Sequence, residues 1–451
     1  MRLVIGVLSG VALTTTLLAA QEPELCPLHP ANGVGLGSPT ASATTTPPFP
    51  WEAAVEPTPT PFPHPELELV TQARPGGQRR WIESRRLSVR GVVRGCQTLE
   101  AGGTDPVPRG GAAQLAASVH GLILMNAFHT SEDVNNSDVP QFVLPLSTGP
   151  SRSTSSATVR QSRVTVTAVA PEFAGGALTG ELDVDFFGGQ QPSTGGRTFP
   201  LLRIRKAFAA LTWTRFAVLA GQESPLIADV SPSSIASIGF PEFAGSGNLW
   251  LWIPQLRVSA DLPPTGAIRL GAEVAALAPT SGEPQGSFLT QPDAAERSDR
   301  PYLQGRVRGR WGAGESEGEV SFGGHYGWLM DSTGGRISSK ALTVSVWTPL
   351  AAGFELRGEA FTGQVLAGLG GGGIGQNMVR NGVPVETKGG WVQLNYRAGS
   401  WELGAGGGID DPDDDDLVAS SRLRNTTFEG HVIWRHQPAV VGLTGRGIRT
   451  R

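Results

Sequence analysis

The chain has 451 residues, enough for one large barrel or for two to three soluble domains. A formal net charge of −4 suggests no nucleic-acid partner, and two cysteines without CxxC or Cys/His spacing supply no metal motif. Gly 61 and Pro 35 make up about a fifth of the residues, short of the low-complexity range.

Residues 1–20 read as a secretory signal peptide. Arg2 gives a minimal positive start, Leu3 to Leu18 an apolar run, and Ala19 and Ala20 before Gln21 a small-residue cleavage site. A single membrane anchor is the alternative. Cys26 follows Pro23, Glu24 and Leu25, which is no lipidation box. No other stretch reaches about 18 consecutive apolar residues, so a helical membrane protein is excluded while a barrel stays open.

Residues 21–113 form a Pro/Thr-rich segment, mostly unable to bury a core. It holds one candidate strand at 82–93, where Leu87 to Val92 alternates briefly. Cys26 and Cys96 could pair in an oxidising compartment, but nothing requires it.

From 114 to 451 the text changes. Apolar and polar residues alternate over runs of about ten. Fifteen strands are predicted near 117–128, 157–169, 177–187, 201–211, 215–222, 249–260, 266–276, 302–311, 318–328, 340–348, 353–362, 390–398, 401–409, 426–435 and 439–449. Long connections follow the odd strands (129–156, 188–200, 223–248, 277–301, 329–339, 363–389, 410–425). Short ones follow the even strands (170–176, 212–214, 261–265, 312–317, 349–352, 399–400, 436–438). That parity is expected of a membrane barrel, whose two ends face different compartments. The fold class is therefore all-β: a transmembrane antiparallel up-and-down barrel, exported to the outer membrane and surrounded by its lipid.

The two faces agree with this. One is simple (Val, Leu, Ala, Gly, Ile), the other dense in Arg, Asp and Glu. Aromatics near strand ends (Phe186, Phe187, Trp213, Phe216, Trp250, Trp252, Trp311, Tyr326, Trp328, Trp347, Trp391, Trp401, Trp434) fit interfacial girdles, with ordinary sheet aromatics as the alternative.

A barrel of about sixteen strands encloses a water-filled channel, so its chemistry is that of the inner wall. Strand parity makes Arg163, Glu181, Asp183, Asp185, Arg203, Arg205, Arg257, Arg269, Glu273, Arg306, Arg308, Arg310 and Arg357 the pore-lining candidates. A bulge would flip some of them. Acidic and basic rows on separate wall sectors would set up a transverse field, and the Arg excess favours anions such as carboxylates. Pairing between neighbouring strands, which merely stiffens the wall, is the competing expectation.

Segment 223–248 is more apolar than an exposed loop should be. Burial in the barrel or at a subunit interface would explain it, with Glu223, Asp229 and Glu242 as constriction candidates. The run Asp410, Asp411, Asp413 to Asp416 reads as a solvated acidic loop without the Gly and Glu of a calcium loop. No GxSxG or HExxH occurs, and Gly370 to Gly375 is read as an external loop with no helix after it to hold a phosphate. Neither an enzyme nor a cofactor is expected.

Five segments resemble the DcaP-like outer-membrane porins: Glu181–Gly189 (ELDVDFFGG), Leu202–Phe208 (LRIRKAF), Leu219–Gln222 (LAGQ), Asn248–Val258 (NLWLWIPQLRV) and Gly408–Leu417 (GIDDPDDDDL), with the final Gly447–Arg451 (GIRTR). The resemblance covers about 117–451. It implies a sixteen-stranded porin, trimeric, passing small hydrophilic and anionic solutes such as dicarboxylates, with a loop such as 223–248 folded into the lumen. Arg203, Arg205, Asp183 and Asp185 are the wall residues it singles out. Two departures stand out: a Pro/Thr-rich stretch replaces the helical segment that often precedes such barrels, and the chain ends at Arg451 rather than on a strand with a terminal aromatic. Fifteen strands of an expected sixteen leave a seam between first and last. A C-terminal strand lacking from the chain is the favoured reading, with closure by 82–93 as the alternative.

Overall fold

Period-two alternation becomes a single sheet in the computed structural model, which describes residues 116–145, 153–189, 200–263, 266–282, 292–313, 316–331, 333–379, 382–436 and 438–451. The candidate signal peptide, the candidate strand 82–93 and both cysteines lie outside them. The strands are β1 (Ala116–Leu122), β2 (Asn126–Thr130), β3 (Thr154–Thr158), β4 (Arg163–Phe173), β5 (Gly176–Asp185), β6 (Arg203–Thr212) and β7 (Phe216–Glu223). Then come β8 (Ile253–Asp261), β9 (Ile268–Leu277), β10 (Tyr302–Trp311), β11 (Gly318–Met330), β12 (Arg336–Pro349) and β13 (Phe354–Gln364). The last are β14 (Met378–Val379), β15 (Val383–Pro384), β16 (Glu386–Ala398), β17 (Trp401–Pro412), β18 (Asn425–His436) and β19 (Ala439–Thr450).

Fifteen of them form one antiparallel up-and-down sheet, while β2–β3 and β14–β15 are separate two-stranded ladders within the long connections. Among the described residues β1 pairs only with β4 and β19 only with β18, so the sheet keeps the expected open seam. At the long-loop end, a hairpin joined at Val134 and Val143 reaches the last strand. There the Val143 N–H donates to Thr450 Oγ1 at 2.9 Å, and Arg446 donates to the Pro140 carbonyl at 2.8 Å.

Burial runs opposite to that of a water-soluble barrel. Leu342 and Phe428 are each 68% exposed, whereas Asp183 and Asp185 are fully buried. Exposed Leu303, Val307, Val392 and Leu403 alternate with buried Gln304, Arg306, Gln393 and Glu402 along the same strands. An apolar outer face is stable only against lipid, and backbone donors in lipid must be paired, as a sheet ladder pairs them. Among the described residues no helix is long and apolar enough to cross a membrane. An Arg in place of Leu342, near the middle of β12, should cost about 2–4 kcal/mol of folding stability in lipid vesicles. Urea titration of vesicle-embedded protein measures this, and an unchanged midpoint would refute the lipid-facing assignment.

The structure amends several boundaries. The first two predicted strands break where the Ser162 N–H bonds the Val159 carbonyl and the Leu124 N–H bonds Ser162 Oγ, so their outer ends leave as β2 and β3. β11 and β12 run past their predicted ends, leaving only 331–335 between them. The predicted strand 249–260 starts at Ile253, because Trp250 and Leu251 give their N–H groups to the Leu369 carbonyl instead. Phe186, Phe216, Tyr326, Trp401 and Trp434 are on the outward face, as girdle rings should be. Phe187, Trp250 and Trp391 are instead buried inside, where they pack against loop residues.

Candidate channel constriction

The inner wall is built by strand parity, and besides a register shift between Ala170 and Phe173 at the short-turn end one interruption falls among the charged wall residues. Along β5 and β6, Asp183 pairs with Lys206 but Val184 pairs with Ile204, so Arg205 is the extra residue of a bulge. Arg205 and Lys206 therefore both turn inward and are buried. A bulge leaves carbonyls without ladder partners, and Gln222 Nε2 bonds those of Ile204 and Arg205, each at 3.0 Å. Gly221 makes this approach possible: its φ is +127°, and a Cβ there would lie 2.2 Å from the Ala207 carbonyl oxygen. The LAGQ stretch thus has a local structural task.

Around this bulge the wall candidates meet. Arg163 is 2.5 Å from Asp183, and Arg203 2.6 Å from Asp185. Arg205 sits between the two acids, at 3.7 and 3.8 Å. Its guanidinium also lies over Trp252 at 4.6 Å, while Arg203 faces Phe187, Phe240 and Trp252 at 5.2–5.4 Å. Lys206 pairs with Glu223 at 2.5 Å, and Arg257 reaches the same carboxylate at 3.4 Å. Glu181 shares their strand face, half-buried.

A second set lies on β8–β10, separate from the first. Arg306 and Arg308 both bond Glu273, Arg308 and Arg310 hold Asp261 at 3.0 and 2.7 Å, and Arg269 pairs with Glu317 at 2.8 Å. Arg357 stands apart, paired with Glu355 at 2.6 Å. Acidic and basic rows are thus interlocked neighbours, and the transverse field expected from separate sectors gives way to local pairing. The arginines keep one asymmetry. Side chains of Arg163 and Arg203 retain 24% and 19% exposure, whereas those of Asp183 and Asp185 have none.

The connection from Ser224 to Trp252 passes inside the barrel and is mostly buried, with Ser231 as its single exposed residue. Its anchors lie all around the wall. The Leu226 N–H donates to Gln304 at 2.8 Å, Asp229 pairs with Arg306, and the Ser231 carbonyl accepts from Arg357 at 3.1 Å. Ser233 donates to Gln393 and Glu402 at 2.7 and 2.6 Å, Glu242 pairs with Arg446, and Ser246 meets Thr427 at 2.6 Å. Gln161 Oε1 accepts from Ile238 and Gly239, whose carbonyl takes a bond from Arg203. Of the two explanations for this segment's apolar character, burial in the barrel is the one observed. Glu223 itself ends β7, outside the loop proper.

Leu226, Ile227, Ala228 and Leu249 join the inward Ala275, Leu277, Tyr302 and Phe361 in an apolar cluster inside the long-loop end. Val365, Leu366 and Leu369 complete it. The glycine-rich stretch read as an external loop is therefore folded in, and its Gly373 and Ile374 N–H groups bond Asp410 at 3.1 and 2.9 Å. The acidic run divides accordingly: Asp410 is buried, while Asp411 pairs with Arg424 at 2.6 Å on the rim. Asp293, in the connection before β10, sits below the usual carboxylate range: burial raises its pKa, but the N–H groups of Glu296, Ser281 and Ala295 outweigh that. Among the described residues no His/Cys/Asp/Glu group is arranged to hold a metal ion.

No family model matches the chain, and no curated protein matches it. Solved structures do. The chain resembles the outer membrane channel DcaP of Acinetobacter baumannii with a TM-score of 0.52 and 17% identity, over 75% of this chain and 99% of that one. The anion-selective porin from Comamonas acidovorans follows, with a TM-score of 0.45 and 12% identity over 75% of this chain and 100% of that one. For the outer-membrane OmpT of Vibrio cholerae the TM-score is 0.43 and the identity 9%, over 75% and 99%. The likeness to DcaP shows the fold, that of the outer-membrane porin barrels.

Proposed function

We propose that the protein is a diffusion channel of the outer membrane that passes small hydrophilic solutes and favours anions such as carboxylates. One observation carries the preference. On the wall beside the bulge the guanidiniums of Arg163 and Arg203 meet the lumen while their carboxylate partners are fully covered. A permeating ion therefore encounters N–H donors first, although the wall is close to neutral overall. Arginine forks suit carboxylates in geometry as well as charge. The loop 224–252 narrows the lumen and brings solutes to that wall. Homotrimeric assembly is implied by the resemblance alone and belongs to the same proposal.

Purified protein in planar bilayers under a KCl gradient tests the reading. Discrete conductance steps and a reversal potential on the chloride side are expected. A barrel that gives no steps refutes the channel, and a potential on the potassium side refutes the anion preference.

A further inference from the structure

The lipid-facing wall carries a groove that the channel has no use for. It lies at the long-loop end of β8 and β9, measures ≈ 470 Å³, and is lined by Pro254, Leu256, Ala276, Pro279, Pro301 and Arg300. Cross-strand register continues it sideways: Leu256, Ala276, Leu303, Tyr326 and Lys340 form one row across β8–β12. Adjacent strands lie about 4.8 Å apart, so Lys340 is roughly 10 Å from Leu303. Above this row Arg300 lies over the ring of Trp328 at 5.0 Å, and Tyr326 packs edge-on against Trp328 at 4.9 Å. Arg300 and Lys340 are exposed, and neither forms an ion pair among the described residues. Asp299 also lines the mouth of the groove.

We propose that this surface binds one phosphorylated glycolipid of the outer leaflet. The inference rests on placing the barrel in an outer membrane. The groove takes an acyl chain, since its lining is apolar and continuous with the lipid face. Arg300 and Lys340 take the phosphates of a headgroup that carries two, and the Tyr326 and Trp328 rings mark the headgroup level. Asp299 weakens the site through repulsion and thereby sets its charge requirement.

Native mass spectrometry of the detergent-solubilised protein, mixed with bis-phosphorylated lipid A or its dephosphorylated form, is the test. Preferential retention of the phosphorylated form is expected. Arg300→Gln and Lys340→Gln should each lower it about fivefold, as one cation near a lipid surface is worth. Asp299→Asn should raise it, and Ala276→Trp, which fills the groove, should lower it. Equal retention of the two lipids, or variants indistinguishable from wild type, overturns the site. Conductance of the same preparations separates the two proposals. Steps without lipid discrimination refute this site alone, and discrimination without steps refutes the channel alone.

Discussion

Replacing residues 225–251 by a four-residue Gly/Asn turn should raise single-channel conductance several-fold. The strands it joins are neighbours, with Glu223 paired directly to Ile253, so a tight turn spans the gap without moving the wall. What is lost is the lumen's contents: most of the connection is buried, and only Ser231 is exposed. The barrel itself is held by its ladder, which the replacement leaves intact. A milder change checks the same point without deleting the apolar cluster. Asp229→Asn removes the loop's pairing with Arg306, and Glu242→Gln its pairing with Arg446. The double variant should show a loop that opens and closes, read as excess current noise. Conductance unchanged in the turn replacement and quiet currents in the double variant would show that the loop does not limit flow.

Neutralising Arg163 and Arg203 together should reverse the ionic preference. Each guanidinium covers one carboxylate, so Arg163→Gln with Arg203→Gln removes two positive charges and also uncovers Asp183 and Asp185. A unit charge a few ångströms from a passing ion is worth on the order of 1 kcal/mol even in a watery lumen. The permeability ratio should move by about tenfold or more, from anion to cation. Lysines at the same positions should keep the sign, since they keep the charge. If the reversal potential of the glutamine pair matches wild type, these residues do not set selectivity. Arg205 is the poorer target, because it is buried between the two acids.

Sequence legibility was uneven in a way that follows the physics. His431 sits 2.6 Å from Glu429 of its own strand, a spacing that alternation gives, and 3.6 Å from Glu402, a contact that only the pairing of β17 with β18 creates. Period-two counting assigns Lys206 the outward face, and the bulge at Arg205 shifts it inward. Gly221 and Gln222, on the next strand, were the available signal: an interior Gly–Gln pair suits a bulge that needs a close approach and a donor. Trp250 and Trp391 fit the girdle pattern yet are buried inside, because an aromatic near a strand end looks the same in sequence whether it faces lipid or an inserted loop.

The sequence alone determined the fifteen strands of the main sheet, their order and which of their faces is apolar. In an up-and-down sheet each strand pairs with its neighbour in the chain, and one alternating pattern sets both faces, so that information is local. Tertiary structure alone decided what fills the lumen and which charges face water. Ser233 meets Gln393 and Glu402, and Arg203 meets Gly239, across 36 to 169 residues of chain. Such contacts arise only when the sheet curls and brings distant inward faces around one loop, and no periodicity along the chain encodes them.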